Sequence, residues 1–404
     1  MFRSLILPGA FAVSVAAGAA AGEWRGFRGS ETTAVAATPA PTSWSNDDNV
    51  AWKAALPGRG LSSPIVVGDR VYLTACSGGR QDRLHVLCFD SATGKQIWER
   101  QFWATGRTVS HPTTCNAAPT PTSDGQRIFA FYSSNDLVCV DLDGNLQWFR
   151  GLTHDYPNAS NSLGMASSLI TADGVVVAMV ENDTDSLTTG VDAVTGEELW
   201  KLSRPRKANW TSPALWKDPK TGESLVLIQS AAGVVALVPR TAEVKWSYDD
   251  GASTVSSLVV ANGVAYVPSH GVTAIRPGES TPNVAEILWQ EGGLNPGTSS
   301  LVVKDDKVYL IADAGVLSCA DAKTGKREWQ ARLPKGHCSG SPVISGNHLY
   351  VFNEEGLGIV VDVSDKGKVV HQHGFGEPIL CTAAIADGAI YVRSDKTLWK
   401  IAKK

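Results

Sequence analysis

Residues 299–329 read SSLVVKDDKVYLIADAGVLSCADAKTGKREW, and the organisation of the whole chain follows from this stretch. Four short runs, 301–303, 307–312, 316–321 and 326–330, are apolar or alternate apolar with polar residues. Between them stand the turn residues Lys304-Asp305-Asp306, Asp313-Ala314-Gly315 and Asp321-Ala322-Lys323-Thr324-Gly325. Runs of this length, rich in β-branched residues and bounded by such turns, predict four strands of an up-and-down meander.

The unit recurs along nearly the whole chain, and a four-stranded repeat of about 40–50 residues signals a propeller blade. Small-residue lead-ins to a first strand occur at Ser62-Ser63-Pro64, Ala117-Ala118-Pro119, Ser167-Ser168-Leu169 and Thr211-Ser212-Pro213. They recur at Ser256-Ser257-Leu258, Ser299-Ser300-Leu301, Gly340-Ser341-Pro342 and Thr382-Ala383-Ala384. Closing-strand aromatics fall at Trp52, Trp98, Trp148, Trp200, Trp246, Trp289 and Trp329, with His371 in the remaining slot, 40 to 52 residues apart. Both markers predict an all-β, eight-bladed β-propeller of four-stranded antiparallel blades. Residues 49–56 (NVAWKAAL) match only a last strand, whereas 379–403 supply three strands and stop. The N-terminal strand is therefore expected to join the C-terminal blade and close the ring, which removes free sheet edges. Small residues suit the crowded axis, and large rings suit the wedges where blades splay, so these tryptophans read as core.

The composition is that of a globular chain: 404 residues, 43% hydrophobic, 19% charged, with 39 Gly and 20 Pro. A formal net charge of −4 gives no basic footprint, so nucleic acid is not an expected partner. Residues 1–21 read as a signal peptide, with Arg3, an apolar core over 5–17 and Ala19-Ala20-Ala21 as the cleavage pattern. The expected mature protein is exported, periplasmic or extracellular, has no transmembrane segment and is a monomer. No cysteine precedes Cys76, so no lipid-anchor acceptor lies near the cut. Residues 22–43 form an N-terminal arm whose Trp24-Arg25-Gly26-Phe27-Arg28-Gly29 is expected to dock on the propeller of residues 44–404.

The hairpin D-x-x-T-G-K-x-x-W appears at 90–98, 192–200 (with Glu197) and 321–329, and more loosely at 141–148. It resembles the repeat of the pyrroloquinoline quinone (PQQ) propeller superfamily, from about Trp44 to the C-terminus. That superfamily includes eight-bladed quinoprotein dehydrogenases and non-enzymatic members of the BamB kind, which bind protein partners. For a dehydrogenase the resemblance implies a quinone stacked between a tryptophan and a disulfide of adjacent cysteines, with a calcium ion and an aspartate base. Here no two of Cys76, Cys88, Cys115, Cys139, Cys319, Cys338 and Cys381 are adjacent, and no C-x-x-C-H haem motif occurs. Trp210 is the candidate floor residue, against a blade-packing role. The reading is a binding or scaffold protein that leans away from enzyme, with no cofactor predicted. PQQ with calcium is the alternative, and a carbohydrate-binding propeller using Trp24, Trp103 and Trp210 is a further one. The partner is a protein or an extracellular glycan.

Function on a regular scaffold sits in its irregular loops. The loops before blades two, three and four (103–116, 151–164 and 203–210) are long and polar, while the other lead-ins are short. The candidate binding surface is Arg59, His111, Asn116, His154, Asn209, Trp210 and His337. Cys88, Cys139 and Cys319 share one repeat position and read as small packing residues. Cys115 and Cys338 are placed in a second shared slot, four residues before Pro119 and Pro342. Cys76–Cys88 is the pair offered for a disulfide. His371-Gln372-His373 puts two imidazoles on one strand face, read as exposed rather than as metal ligands. Sequons occur at Asn158, Asn182 and Asn209.

Overall fold

Short strands with one or two apolar faces bury them only by stacking sheet against sheet, and a closed ring does so without leaving an end. The computed structural model describes residues 22–160, 163–219 and 221–403, so the signal-peptide reading of 1–21 lies outside the described residues. It contains eight sheets arranged as blades, each built on an antiparallel meander whose neighbouring strands follow in sequence, apart from two strands that the N-terminal segment adds. Blade six runs Val302–Lys304, Lys307–Ala312, Val316–Asp321 and Arg327–Arg332. Its two middle strands coincide with the sequence reading, and the outer two shift by one or two residues. Val50–Ala55 pairs antiparallel with Thr397–Ile401, so the N-terminal strand completes blade eight and the ring closes as expected. A second tie crosses the same seam: Arg393 of blade eight donates from Nη1 to Thr74 O of blade one at 2.6 Å.

One lead-in differs from the sequence reading. Thr122 pairs with Phe129 as Ile65 pairs with Tyr72, so Thr120-Pro121, not Ala118-Pro119, is the counterpart of Ser63-Pro64. Two small-residue–proline steps lie in succession there, and the first imitates the second. The shared slot of Cys115 and Cys338 falls with it, because Cys115 lies six residues before Pro121 and Cys338 four before Pro342.

The D-x-x-T-G hairpin works between blades as well as within one. In blade one, Asp90 Oδ1 accepts from the amide and hydroxyl of Thr93, each at 2.7 Å, and fixes the turn. Gly94 then sits at φ +71° under the indole of Trp52 from the neighbouring blade, whose Nε1 donates to Ser91 O at 3.0 Å. The same docking joins Trp98 to Gly144, Trp148 to Gly196 and Trp289 to Gly325. Cys88, Cys139 and Cys319 pair across the strands with Trp98, Trp148 and Trp329, so their common slot is a packing slot, as expected. Burial pushes these thiols up, to about 12, 12 and 11.

The arm runs across the end of the ring away from the long loops. Trp24 bridges Val66 of blade one and is 2% exposed, and Ser123 of blade two donates its amide to Arg25 O. Val35–Ala36 then pairs in parallel with Val343–Ser345 and adds a fifth strand to blade seven. Trp44 fills the wedge left where His371 stands in the tryptophan slot. Its ring meets the His371 ring edge-on at 4.7 Å, and its amide donates to His371 Nε2 at 3.2 Å. His371 is therefore half-buried and structural rather than an exposed histidine.

Two tests follow from this packing. Gly94→Ala should cost about 2–5 kcal/mol in denaturant unfolding, since a Cβ would add left-handed strain and meet the Trp52 ring at 2.5 Å. Gly68→Ala, at φ +58° with nothing within 4 Å, should cost only about 1–2 kcal/mol. The second concerns pH. Burial, then the neighbouring His373, holds His371 below its ordinary value of 6.5. Its contribution is thus complete above pH 6.5 and is lost as the pH falls through the lowered folded value. The thermal-midpoint gap between the native chain and His371→Phe should narrow over that window.

Candidate functional site

The first strands of the blades converge on the axis, and their backbone N–H groups there need acceptors. Hydroxyls of the next blade supply them. Ser63 N donates to Thr120 Oγ1 at 3.0 Å and Thr120 N to Ser168 Oγ at 3.1 Å. The step continues through Ser212, Ser257, Ser300, Ser341 and Thr382 at 2.9–3.0 Å. Above this ring the axis opens into a well of about 400 Å³. Phe27 of the arm forms part of its floor, and His111, Leu163, Trp210 and Val255 stand in its wall. Beside Phe27 lies Arg28, 1% exposed, with Nη2 donating to Leu258 O at 2.6 Å and its Cζ 5.4 Å from the Phe27 centroid. Burial lowers its guanidinium to about 10, which leaves it charged at neutral pH.

The predicted surface divides into residues that reach the well and residues that build its walls. His111 is exposed and lines the well, its Nδ1 2.8 Å from Thr113 Oγ1. Trp210 also lines it, with Nε1 donating to Gly164 O at 2.8 Å, so it is a wall residue and not a blade-packing one. His337 touches the rim through Thr298, its Nε2 3.1 Å from the hydroxyl. Arg59 braces the loop that carries His111, donating from Nη2 to Pro112 O at 2.6 Å.

The other three candidates do not reach a ligand surface at the well. Asn116 is fully buried, with Nδ2 bound to Gln81 O and Oδ1 accepting from Ser134 N. Asn209 is 1% exposed and donates to Glu181 Oε2 and Gln229 O. Both tie long loops to neighbouring hairpins, a role that polarity alone does not reveal. His154 points into solvent from the short helix Leu152–Asp155 and lines no part of the well. Asn182 and Asn209 are each 1% exposed, which leaves only Asn158 as an accessible sequon. Trp24 is buried and so is no sugar platform, whereas Trp103 is 64% exposed beneath Arg83.

Two groupings escaped the sequence reading. The hydroxyl ring was read only as small residues, although the preference for Ser and Thr over Ala at those positions was its signal. In blade one, His85 links Ser77 Oγ (Nε2, 2.7 Å) to Glu99 Oε1 (Nδ1, 2.6 Å). This triad-like relay has a histidine 2% exposed and lines none of the well, so it serves to tie three strands together.

An eight-bladed ring with PQQ-type hairpins defines the class. The chain belongs to the family described as outer membrane protein assembly factor BamB, whose profile matches residues 13–168, 104–283 and 272–397. Among solved structures, BamB from Moraxella catarrhalis is similar at 15% identity and TM-score 0.61, over 88% of this chain and 97% of that one. A europium-containing methanol dehydrogenase is similar at 13% identity and TM-score 0.66, covering 92% of this chain and 89% of that one. The quinohemoprotein alcohol dehydrogenase from Comamonas testosteroni gives 14% identity and TM-score 0.68, over 96% and 82%. No curated protein matches the chain. At these identities the structures share the fold with this chain.

The dehydrogenase neighbours raise the question of whether the well suits PQQ and calcium. Calcium takes six to eight oxygen ligands, carboxylates among them, and a carboxylate-bearing quinone calls for cations. The residues that line the well include no Asp, Glu, Lys or Arg. Among the described residues no group of three His, Cys, Asp or Glu is placed to hold a metal. Trp210 is the one fitting element, and the lining as a whole does not fit the cofactor.

The loop of residues 203–210 is held by one buried ion pair. Glu181, 1% exposed, receives Arg204 Nε at 2.7 Å. Arg204→Ala should lower stability by about 3–5 kcal/mol because it strands a buried carboxylate. Arg206→Ala, which removes an exposed pair with Asp185, should cost less than about 1 kcal/mol in the same denaturation assay.

Proposed function

We propose that this chain is an exported, monomeric binding or scaffold propeller that takes a protein partner on its mouth face, with an apolar side chain of the partner entering the axial well. The observation that carries this reading is the lining itself, which is hydroxyl and apolar without a formally charged residue. Such a surface desolvates at little cost and offers no acid–base pair. Exposed Val255 and Leu163 at the rim extend the apolar area, and Val109 lies exposed in the loop that carries His111. Membership of the BamB family supports a protein partner, and the apolar N-terminal run supports export. No helix among the described residues is long and apolar enough to cross a membrane. An extracellular glycan is the second ligand class, favoured by the exposed ring of Trp103.

The first measurement is PQQ titration of the mature chain with and without calcium, read by tryptophan fluorescence. Absence of saturable quenching is expected, and calcium-dependent saturation with dye-linked alcohol oxidation would overturn the proposal. The second is photo-crosslinking from positions 111 and 210, with exposed position 244 on an outer strand of blade four as control. The same discrete protein adduct from both mouth positions, and none from 244, is the expected result. Adducts confined to 244 would remove the mouth face from consideration.

A further inference from the structure

Of the seven buried cysteines, five behave as packing residues, and Cys76 and Cys115 stand apart. Cys76 ends a buried row in Arg70–Ser77 of blade one, whereas Cys115 lies at the base of the loop that carries His111. One side chain binds the two segments together. Gln81 Oε1 accepts from Cys76 Sγ at 3.4 Å and from Asn116 N at 2.9 Å. Both thiols are buried in one apolar cluster shared by blades one and two. Cys76 and Cys88, the pair suggested by the sequence, are separated along the sheet. Cys88 pairs with Tyr72, four residues from Cys76 on the same strand, at about 3.3 Å per residue. That spacing is beyond the reach of a disulfide.

We propose that Cys76 and Cys115 form a disulfide that locks the His111 loop to blade one. The exchange opens from Cys76. Contact with Cys115 holds its thiol below the ordinary value, followed by the Ala117 and Asn116 amides and the charge of buried Arg393. Burial and the same contact push Cys115 up. The oxidant is a small-molecule or protein disulfide, of the class that acts in an exporting compartment. The Cys76 thiolate attacks one sulfur of the oxidant, breaks its S–S bond and releases one thiolate. Cys115 then loses its proton and attacks Cys76 Sγ, which expels the second. Two thiols are oxidised to one disulfide, and one disulfide is reduced to two thiols. Both cysteines are at most 1% exposed, so the reaction belongs to folding or to opening of the loop rather than to the closed state. The inference concerns the covalent state of the well wall and does not depend on what enters the well.

The test uses the full mature chain, refolded with oxidised glutathione and, in parallel, with reduced glutathione. After alkylation in denaturant, the oxidised sample should show five free thiols, the seven cysteines less two. Its mass should fall by about 2 Da, with a Cys76–Cys115 linked peptide in a non-reducing digest. Its denaturation midpoint should rise, and the rise should vanish on reduction and in Cys115→Ala. Cys381→Ala, which removes a thiol bonded to Arg393 O, should keep the rise. Seven free thiols after oxidative refolding would overturn the proposal, and so would a linked peptide joining any other pair. Because the thiol count and the peptide map need no ligand, this result is independent of the crosslinking experiment.

Discussion

Strands that converge on one axis leave almost no room for side chains, yet their backbone N–H groups still need acceptors. A serine or threonine meets both demands, since its hydroxyl accepts from the preceding blade and its bulk stays within the channel. An alanine would fit but accept nothing, and an aspartate would bring uncompensated charge into a confined space. These contacts register successive blades, from blade one through to blade eight, against one another. The ring also dictates the character of the well above it, because a wall of small hydroxyls is uncharged.

The outer rim answers the opposite problem, which is too much space. Blades splay with distance from the axis, and an indole fills the wedge where the neighbouring hairpin presents glycine or, under Trp200, a left-handed alanine, Ala242. Trp52 over Gly94 and Trp98 over Gly144 show the match. Where the sequence offers His371 in place of tryptophan, the chain borrows Trp44 from the segment that follows the arm. The arm is thus part of the ring, supplying Phe27 to the floor of the well and a strand to blade seven, and the next residue, Trp44, supplies the aromatic of a wedge.

The blade count and ring closure were legible because both are written in local spacing: small lead-ins, turn aspartates and a periodic tryptophan. The path of the arm was not, since Val35-Ala36 pairing with Ile344-Ser345 spans the chain and leaves no periodic trace. The site was legible in outline. Loop length pointed to the end of the ring where the well opens, and His111 and Trp210 line that well. Asn116 and Asn209 were misjudged because a polar loop residue looks alike whether it meets solvent or a buried carboxylate. Blade two misled for a related reason, since Ala118-Pro119 and Thr120-Pro121 satisfy the same pattern and only the pairing of Thr122 with Phe129 separates them.

A scaffold whose axis must be small and uncharged can acquire chemistry only from what its loops add. In this chain the long loops add mostly structure: Asn116, Asn209 and Arg204, with Arg59 from a short lead-in, spend their polar groups on holding walls in place. At the mouth, His111, the Trp210 indole and apolar groups line a well walled by hydroxyls, with His337 at its rim. That inventory is what the proposed partner would meet. Specificity would then rest on the shape of the walls, which makes the rigidity of the His111 loop the quantity that binding depends on.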